Sequence, residues 1–184
     1  MERVSVVGCS GSGKSTVARR LSDVLGVPYI ELDALHWGPG WSEASAEELS
    51  ERVRRATAAD AWIVDGNYQS KIGTLAWDRA NTVVWVNPSR WRGMWRCLRR
   101  TVRRAATRQE LWNGNRESWS GLHFWRGEDS ILWWAWTSYP RVQERYESAM
   151  RDPRNRHLAF HRLRTSKEVE DFLATLVRDR RPER

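Results

Sequence analysis

The sequence predicts an α/β protein in which helices cover both faces of a parallel β-sheet. Short runs of β-branched and apolar residues alternate with segments whose apolar residues follow helical spacing, the pattern of repeated β-α-β units. The first run, residues 4–7, leads directly into the glycine-rich stretch GCSGSGKST at residues 8–16. A strand that ends in such a turn and continues as a helix is typical of proteins that bind phosphate groups.

Each element has its own signal along the chain. Strands are predicted at residues 4–7, 29–32, 61–64, 82–86 and 157–163, and helices at residues 14–25, 45–59, 89–108, 130–151 and 166–178. Ser45 and Glu48 form a capping box that begins the second helix. Residues 33–41 and 109–129 have no period and are predicted to be loops, the second of them a lid over the sheet edge.

Composition limits the class of protein. A chain of 184 residues with 40% hydrophobic and 29% charged residues fits one soluble domain. No apolar run approaches the ~18–20 residues that cross a bilayer, and no signal-peptide pattern is visible, so we expect a cytoplasmic protein with no membrane partner. The two cysteines are too few for a disulfide framework or a metal-ligand set. The net charge of +8 and the 13 tryptophans are unusual; the tryptophans form either a bulky core or an aromatic wall around a flat ligand.

The glycine-rich stretch matches the pattern G-x-x-x-x-G-K-S/T of a nucleotide-binding P-loop. Its glycines let successive backbone N–H groups point at one anion, and the helix that follows contributes its positive dipole end. Lys14 is predicted to reach the β- and γ-phosphates of ATP, and the Ser15 hydroxyl to ligate Mg²⁺. The predicted nucleotide-contacting residues are Gly8, Ser10, Gly11, Ser12, Gly13, Lys14, Ser15 and Thr16.

Acidic residues follow the second and third strands, at the sheet edge where the P-loop lies. Glu31 and Asp33 end the second strand, and a carboxylate there can orient an acceptor hydroxyl. Asp65 ends the third strand and is the predicted second acidic group that supports Mg²⁺. The alternatives are a loop N-cap for Asp33 and an Asp-Gly turn for Asp65.

On these residues the chain resembles the adenylate-kinase-like small P-loop kinases, which include nucleoside monophosphate kinases and shikimate kinases. WIVDGNY is similar to their strand with Asp-Gly, although Asn67 and Tyr68 replace the Phe-Pro of an acceptor-gripping Phe-Pro-Arg and position 69 is not arginine. The Glu31/Asp33 pair is similar to the acidic pair of shikimate-type kinases. A resemblance to the bacterial topology modulation protein (FlaR-like) group spans almost the whole chain, through ELDALHW, GPGW, NPSRW and TRQELWNGNRES.

The resemblance implies a strand order of 2-3-1-4-5 and one kinase domain over residues 1–184. It places an acceptor-side segment at about 33–60 and a helical, Arg/Trp-rich lid at about 90–152. On the lid helix, Arg96, Arg100 and Arg104 are the candidate catalytic arginines, with Arg103 on the same face. The helix also carries an apolar stripe, Trp91, Met94, Trp95, Leu98 and Val102, that is expected to pack inward.

The remaining predicted site residues lie in the loops. Beyond the lid helix follow the polar residues Glu110, Asn113, Asn115 and Glu117 and the rings of Trp112, Trp119 and Trp125. The predicted catalytic residues are Lys14, Asp33, Arg96, Arg100 and Arg104. The predicted acceptor-binding residues are Glu31, Asp33, His36, Trp37, Asn67 and Tyr68.

Two functions fit this pattern. The favoured one is an ATP- and Mg²⁺-dependent kinase that moves the γ-phosphoryl group to a small acceptor, a nucleotide or a hydroxyl-bearing metabolite. The alternative is a nucleic-acid-binding P-loop ATPase that affects DNA topology or regulation, because basic charge interleaved with aromatic rings can follow a phosphate backbone. The acidic rim of Glu31, Asp33 and Asp65 favours the kinase, since it would repel DNA phosphate. The sequence leaves the acceptor, the base of the donor nucleotide and the oligomeric state open.

Overall fold

The computed structural model describes residues 1–117 and 131–179, which are built around one parallel sheet of five strands. The strands are β1 (Arg3–Val7), β2 (Tyr29–Glu31), β3 (Trp62–Asp65), β4 (Thr82–Val86) and β5 (Ala159–Leu163). Their order is β2-β3-β1-β4-β5, and every neighbouring pair is parallel. The predicted fold class and strand order are therefore confirmed.

Seven α-helices connect and cover the strands within the described residues. They are α1 (Lys14–Leu25), α2 (Leu32–His36), α3 (Ala46–Ala56), α4 (Gln69–Ile72), α5 (Arg90–Thr107), α6 (Ile131–Arg151) and α7 (Ser166–Asp179). Short 3-10 turns lie at Pro39–Trp41, Trp112–Gly114 and Pro153–Asn155. Ser45 and Glu48 close the predicted capping box of α3, with hydrogen bonds in both directions. Among these helices, none is long and apolar enough to cross a membrane.

The sheet is buried on both faces because helices cover it on each side. On one face Trp62, Trp77 and Trp85 pack with Tyr146 of α6, and each of these rings is at most 6% exposed. On the other face Val4 and Val6 of β1 belong to a cluster with apolar residues of α1 and α7. For these three tryptophans, the interpretation as bulky core residues is therefore the right one.

Helix α5, which follows β4, buries a different face from the one that the sequence predicted. Its buried residues are Gly93, Cys97, Thr101 and Ala105, whereas Trp91 and Trp95 of the predicted apolar stripe are 73% and 59% exposed. Of the other members of that stripe, Val102 is also exposed, and only Met94 and Leu98 pack partly inside. The physical reason is close approach: a Cβ on Gly11 would lie 2.1 Å from the Gly93 carbonyl oxygen. Only small side chains fit between α5 and the P-loop.

Residues 33–41 were predicted to be a loop, and this was wrong for their first part. Asp33 lies in the first turn of α2, which begins directly after β2. The segment has too few residues for a helical period to be visible in the sequence. The predicted loop at 109–129 contains a 3-10 turn at Trp112–Gly114; Trp119 and Trp125, which were assigned to the lid, lie outside the described residues.

Candidate active site

The P-loop, residues 8–15, connects β1 to α1 and has the backbone that an anion cradle requires. Gly11 and Gly13 have φ angles of +76° and +96°, which residues with a Cβ adopt only with strain. The amide of Ser12 donates to the Cys9 carbonyl over 3.1 Å, and α1 begins at Lys14. The loop therefore presents a helix N-terminus and turned backbone at the carboxyl end of the sheet, where phosphate binds in α/β proteins.

Asn67 holds the start of this loop. Its side-chain oxygen accepts a 3.2 Å hydrogen bond from the Gly8 amide, while its side-chain nitrogen donates to the Gly8 carbonyl. The hydroxyl of Tyr146 donates to the same Asn67 oxygen over 2.9 Å. Asn67 was predicted to bind the acceptor; its amide also ties the end of β3 to the P-loop, a role that the sequence did not suggest.

Two of the three predicted catalytic arginines reach the P-loop. Arg96 donates to the Ser12 carbonyl over 3.1 Å, and Arg100 donates to the Ser10 hydroxyl over the same distance. Arg104 does not; it forms a 2.9 Å ion pair with Glu117. The guanidinium groups of Arg96 and Arg100 therefore border the place where the loop would hold phosphate, and Arg104 braces the segment beyond α5.

Two cavities border the P-loop. The larger one has a volume of about 760 Å³ and is bordered by Ser10, Lys14 and Ser15 of the loop. The smaller one, of about 290 Å³, is bordered by Ser12, Gly13 and Thr16. The P-loop is thus the wall that the two cavities share, and a molecule in either of them would lie beside its backbone.

Asp33 and Tyr68 face each other in the larger cavity. The Tyr68 hydroxyl donates a 2.7 Å hydrogen bond to Asp33 Oδ1. Burial, followed by the charge of Asp33, raises the pKa of Tyr68, so the phenol stays protonated and remains a donor. Glu31 also borders this cavity, but its carboxylate lies 3.3 Å from the Arg19 guanidinium.

His36 was predicted to line the acceptor pocket, but its side chain does not border the larger cavity. Its ring is 2% exposed and lies between Trp37 and Tyr68, with centroid distances of 4.7 and 4.8 Å. Burial lowers the pKa of His36, and the nearby Lys71 lowers it further. We conclude that His36 supports the cavity wall from behind. It was predicted to bind the acceptor because residues 33–41 were expected to form a loop, and the helix α2 that turns this side chain inward was not foreseen.

Two residues could hold Mg²⁺. Asp65 is 2% exposed, and its Oδ2 accepts a 3.0 Å hydrogen bond from Tyr29. Its Oδ1 is buried and has no hydrogen-bond partner among the described residues, which leaves one carboxylate oxygen for a metal-bound water. Its carboxylate and the Ser15 hydroxyl are hard oxygen donors, the type of ligand that Mg²⁺ prefers. Among the described residues, no group of three or more histidine, cysteine or acidic side chains could hold a metal ion.

Several residues that border the larger cavity were not predicted. Helix α6 contributes Arg141 and Arg145, one turn apart, and the 3-10 turn at Pro39–Trp41 contributes Trp41. The predicted polar residues Asn113 and Asn115 tie the segment after α5 to the backbone of residues 37–41. These contacts join parts of the chain more than seventy residues apart, and no local pattern carries that information.

Comparisons with known proteins agree with the architecture. No protein-family model matches the sequence, and no curated protein does. A solved gluconokinase from Sinorhizobium meliloti 1021 is similar over 97% of this chain and 94% of its own, with 20% identity and a TM-score of 0.50. A deoxyadenosine kinase from M. mycoides, solved with dCMP and dCDP bound, is similar over 94% of this chain and 97% of its own, with 14% identity and a TM-score of 0.54. The chain therefore has the fold of the small P-loop kinases.

Proposed function

We propose that this protein is an ATP-dependent phosphotransferase that moves the γ-phosphoryl group of ATP to a hydroxyl group of a small acceptor. The observation that carries the proposal is that residues of the P-loop border two cavities. A nucleotide in the smaller cavity and an acceptor in the larger one would both lie against the P-loop, and Lys14 borders the acceptor side. Phosphoryl transfer needs this arrangement, because the attacking and leaving oxygens lie roughly in line through phosphorus.

The donor side would hold the nucleotide through the P-loop and α5. Backbone N–H groups and Lys14 would bind the phosphates, and Arg92, Arg96 and Thr165 border the cavity that would take the base. Arg100 would lie next to the transferring group. Ser15 would hold Mg²⁺ directly, and Asp65 would hold it through a water molecule. When bound, the ion would neutralise part of the phosphate charge.

The acceptor side would supply the base. Asp33 would accept the proton of the acceptor hydroxyl as its oxygen bonds to the γ-phosphorus, and the bond between that phosphorus and the β,γ-bridging oxygen would break to release ADP. Tyr68 would orient the Asp33 carboxylate through its 2.7 Å hydrogen bond. In this proposal the chain is a single kinase domain, with an acceptor-side segment at about 33–60 and a lid at about 90–152.

A second candidate function rests on the outer face of α5. Trp91 and Trp95 are exposed there beside the exposed side chains of Arg92 and Arg99. Arginines that alternate with aromatic rings can bind a nucleic-acid backbone and stack on its bases. This would make the chain a nucleic-acid-binding ATPase, the role suggested by the resemblance to the topology modulation protein group. The carboxylates of Glu31 and Asp33 beside the P-loop favour the kinase.

The test is ADP release from Mg²⁺·ATP with a panel of acceptors. The panel contains nucleosides, nucleoside monophosphates, small polyols and hydroxyl-bearing antibiotics, with single- and double-stranded DNA in separate reactions. For the kinase we expect one acceptor to raise ADP release well above background, and Lys14→Ala and Asp33→Asn to abolish that increase. If DNA alone stimulates turnover and Asp33→Asn has no effect, the kinase proposal is wrong and the α5 surface becomes the candidate site.

A further inference from the structure

We infer that the acceptor carries a planar unsaturated ring, and that Trp37, Trp41 and Trp112 form an aromatic box that binds this ring. The inference rests on the proposed function and specifies its substrate class. It separates alcohols that carry such a ring from polyols and sugar acids, which have no planar unsaturated ring.

The three indoles of the box contact one another in succession beside the larger cavity. Trp37 and Trp41 contact edge to face with ring centroids 5.5 Å apart, and Trp41 and Trp112 do so at 6.3 Å. All three border the cavity. Such rings offer π-faces and edges to a flat guest, and aromatic pairs prefer these separations.

These rings differ from the tryptophans of the core. Trp62 and Trp85 are at most 1% exposed, whereas Trp41 is 37% exposed and Trp37 and Trp112 are half-buried. A ring that only filled the core would be covered on both faces. The box therefore has apolar surface that nothing in the described part of the chain covers completely, and this surface belongs to the cavity.

The backbone holds the box in place at an energetic cost. Trp41 has a φ angle of +61°, which is strained for a bulky side chain and persists only where its surroundings fix it. Asn115, which is 4% exposed, provides that fixation. It donates to the Gly38 carbonyl over 2.8 Å and accepts from the Trp41 amide over 2.9 Å. Strain that a buried amide maintains beside a cavity indicates a position set for ligand binding.

The box is also close in the chain to Asp33, the proposed base. The Trp37 amide donates to the Asp33 carbonyl over 2.9 Å, so the first ring follows the proposed base by one helical turn. An acceptor whose ring lies in the box can therefore present a hydroxyl to Asp33. A volume of about 760 Å³ is within the range of cavities that hold ligands larger than a simple polyol.

The experiment measures turnover and binding with two sets of alcohols. The ring-bearing set, whose members have a planar unsaturated ring, is adenosine, thymidine and pyridoxine. The saturated set, whose members have none, is methyl ribofuranoside, gluconate and glycerol. We expect the acceptor with the highest kcat/KM to be in the ring-bearing set. Trp112→Ala should raise its KM on the order of tenfold or more, while Trp112→Phe, which keeps a ring, should change KM much less. Trp95→Ala on the exposed face of α5 is the matched control and should leave KM unchanged.

Calorimetric titration without ATP separates this inference from the proposed function. If a ring-bearing compound binds wild-type protein and binds Trp112→Ala more weakly, but nothing is phosphorylated, the box stands and the kinase proposal fails. If the best acceptor has no planar unsaturated ring, or if Trp112→Ala and Trp37→Ala leave both KM and binding unchanged while they fold normally, the inference is overturned. Circular dichroism of each variant establishes that it is folded.

Discussion

The Tyr68 hydroxyl donates a 2.7 Å hydrogen bond to Asp33 Oδ1, and this contact joins the end of β3 to α2 at the floor of the larger cavity. A hydrogen bond to a charged group contributes about 1.5–3 kcal/mol. Because the bond orients the proposed base, Tyr68→Phe should lower kcat by roughly 10- to 100-fold and leave the KM for ATP near its wild-type value. Steady-state kinetics with a fixed acceptor measure both constants.

Tyr139→Phe is the control for this variant. The Tyr139 hydroxyl, on α6, donates to the Pro88 carbonyl over 3.0 Å and accepts from the Gln143 side chain over 2.7 Å. The substitution therefore also removes phenolic hydrogen bonds, but it leaves Asp33 untouched. A Tyr68→Phe enzyme with wild-type kcat would show that Tyr68 does not act through Asp33.

Arg100 is the arginine of α5 that we expect to contribute most to the transfer step. It donates to the Ser10 hydroxyl within the larger cavity, and an arginine beside the transferring phosphoryl group is worth a factor of about 10³–10⁵ in kcat. Arg100→Ala should therefore reduce kcat by roughly 10³-fold or more. Arg99→Ala removes an exposed neighbour on the same helix and should retain wild-type kcat. Equal losses in both variants would contradict a specific role for Arg100.

Much of the fold could be predicted because its signals are local. The alternation of short apolar runs with helical segments indicated five strands and their covering helices, and the capping box located the start of α3. The resemblance to small P-loop kinases supplied the strand order. Glu31, Asp33 and Asp65 could be assigned to one edge, because the carboxyl ends of parallel strands meet there.

The rest depends on contacts between distant segments. The apolar stripe of α5 was expected to pack inward, but close packing against Gly11 of the P-loop selects the face of Gly93 and Cys97. The inward position of His36 follows from its packing with Tyr68, more than thirty residues away. Trp41 becomes part of the cavity only because Asn115 fixes its backbone. Hydrophobic periodicity carries none of these relationships.

Gly11→Ala should disrupt the contact between the P-loop and α5. A Cβ there would lie 2.1 Å from the Gly93 carbonyl oxygen and 2.9 Å from the Cys97 amide nitrogen, both of them backbone atoms, at a φ of +76°. Strain and overpacking together predict a loss of roughly 3 kcal/mol or more in the free energy of unfolding, with loss of ATP binding. Urea denaturation and nucleotide titration measure these quantities.

Gly26→Ala is the matched control for this substitution. Gly26 also has a positive φ, +63°, but a Cβ there would meet nothing within 4 Å. Gly26→Ala should therefore lower the free energy of unfolding by only about 1–2 kcal/mol, the cost of the left-handed conformation for a residue with a Cβ. It should bind ATP normally. Equal losses of stability in the two variants would mean that the packing of α5 on the P-loop is not tight.

His36 should make the stability of the protein depend on pH below neutrality. Burial, and then the charge of Lys71, lowers the pKa of His36 in the folded protein from its ordinary value of 6.5. Below about pH 6.5 the unfolded chain therefore binds a proton that the folded chain does not, and the free energy of unfolding falls as the pH falls toward the folded pKa. Urea unfolding at pH 7.5 and pH 5.5 should show this decrease, and His36→Gln should reduce it.

Burial also lowers the pKa of His161, so His161→Gln should remove a separate part of the decrease and the double variant should remove both. A decrease of the same size in wild-type protein and His36→Gln would show that the imidazole of His36 is not held neutral behind the cavity wall.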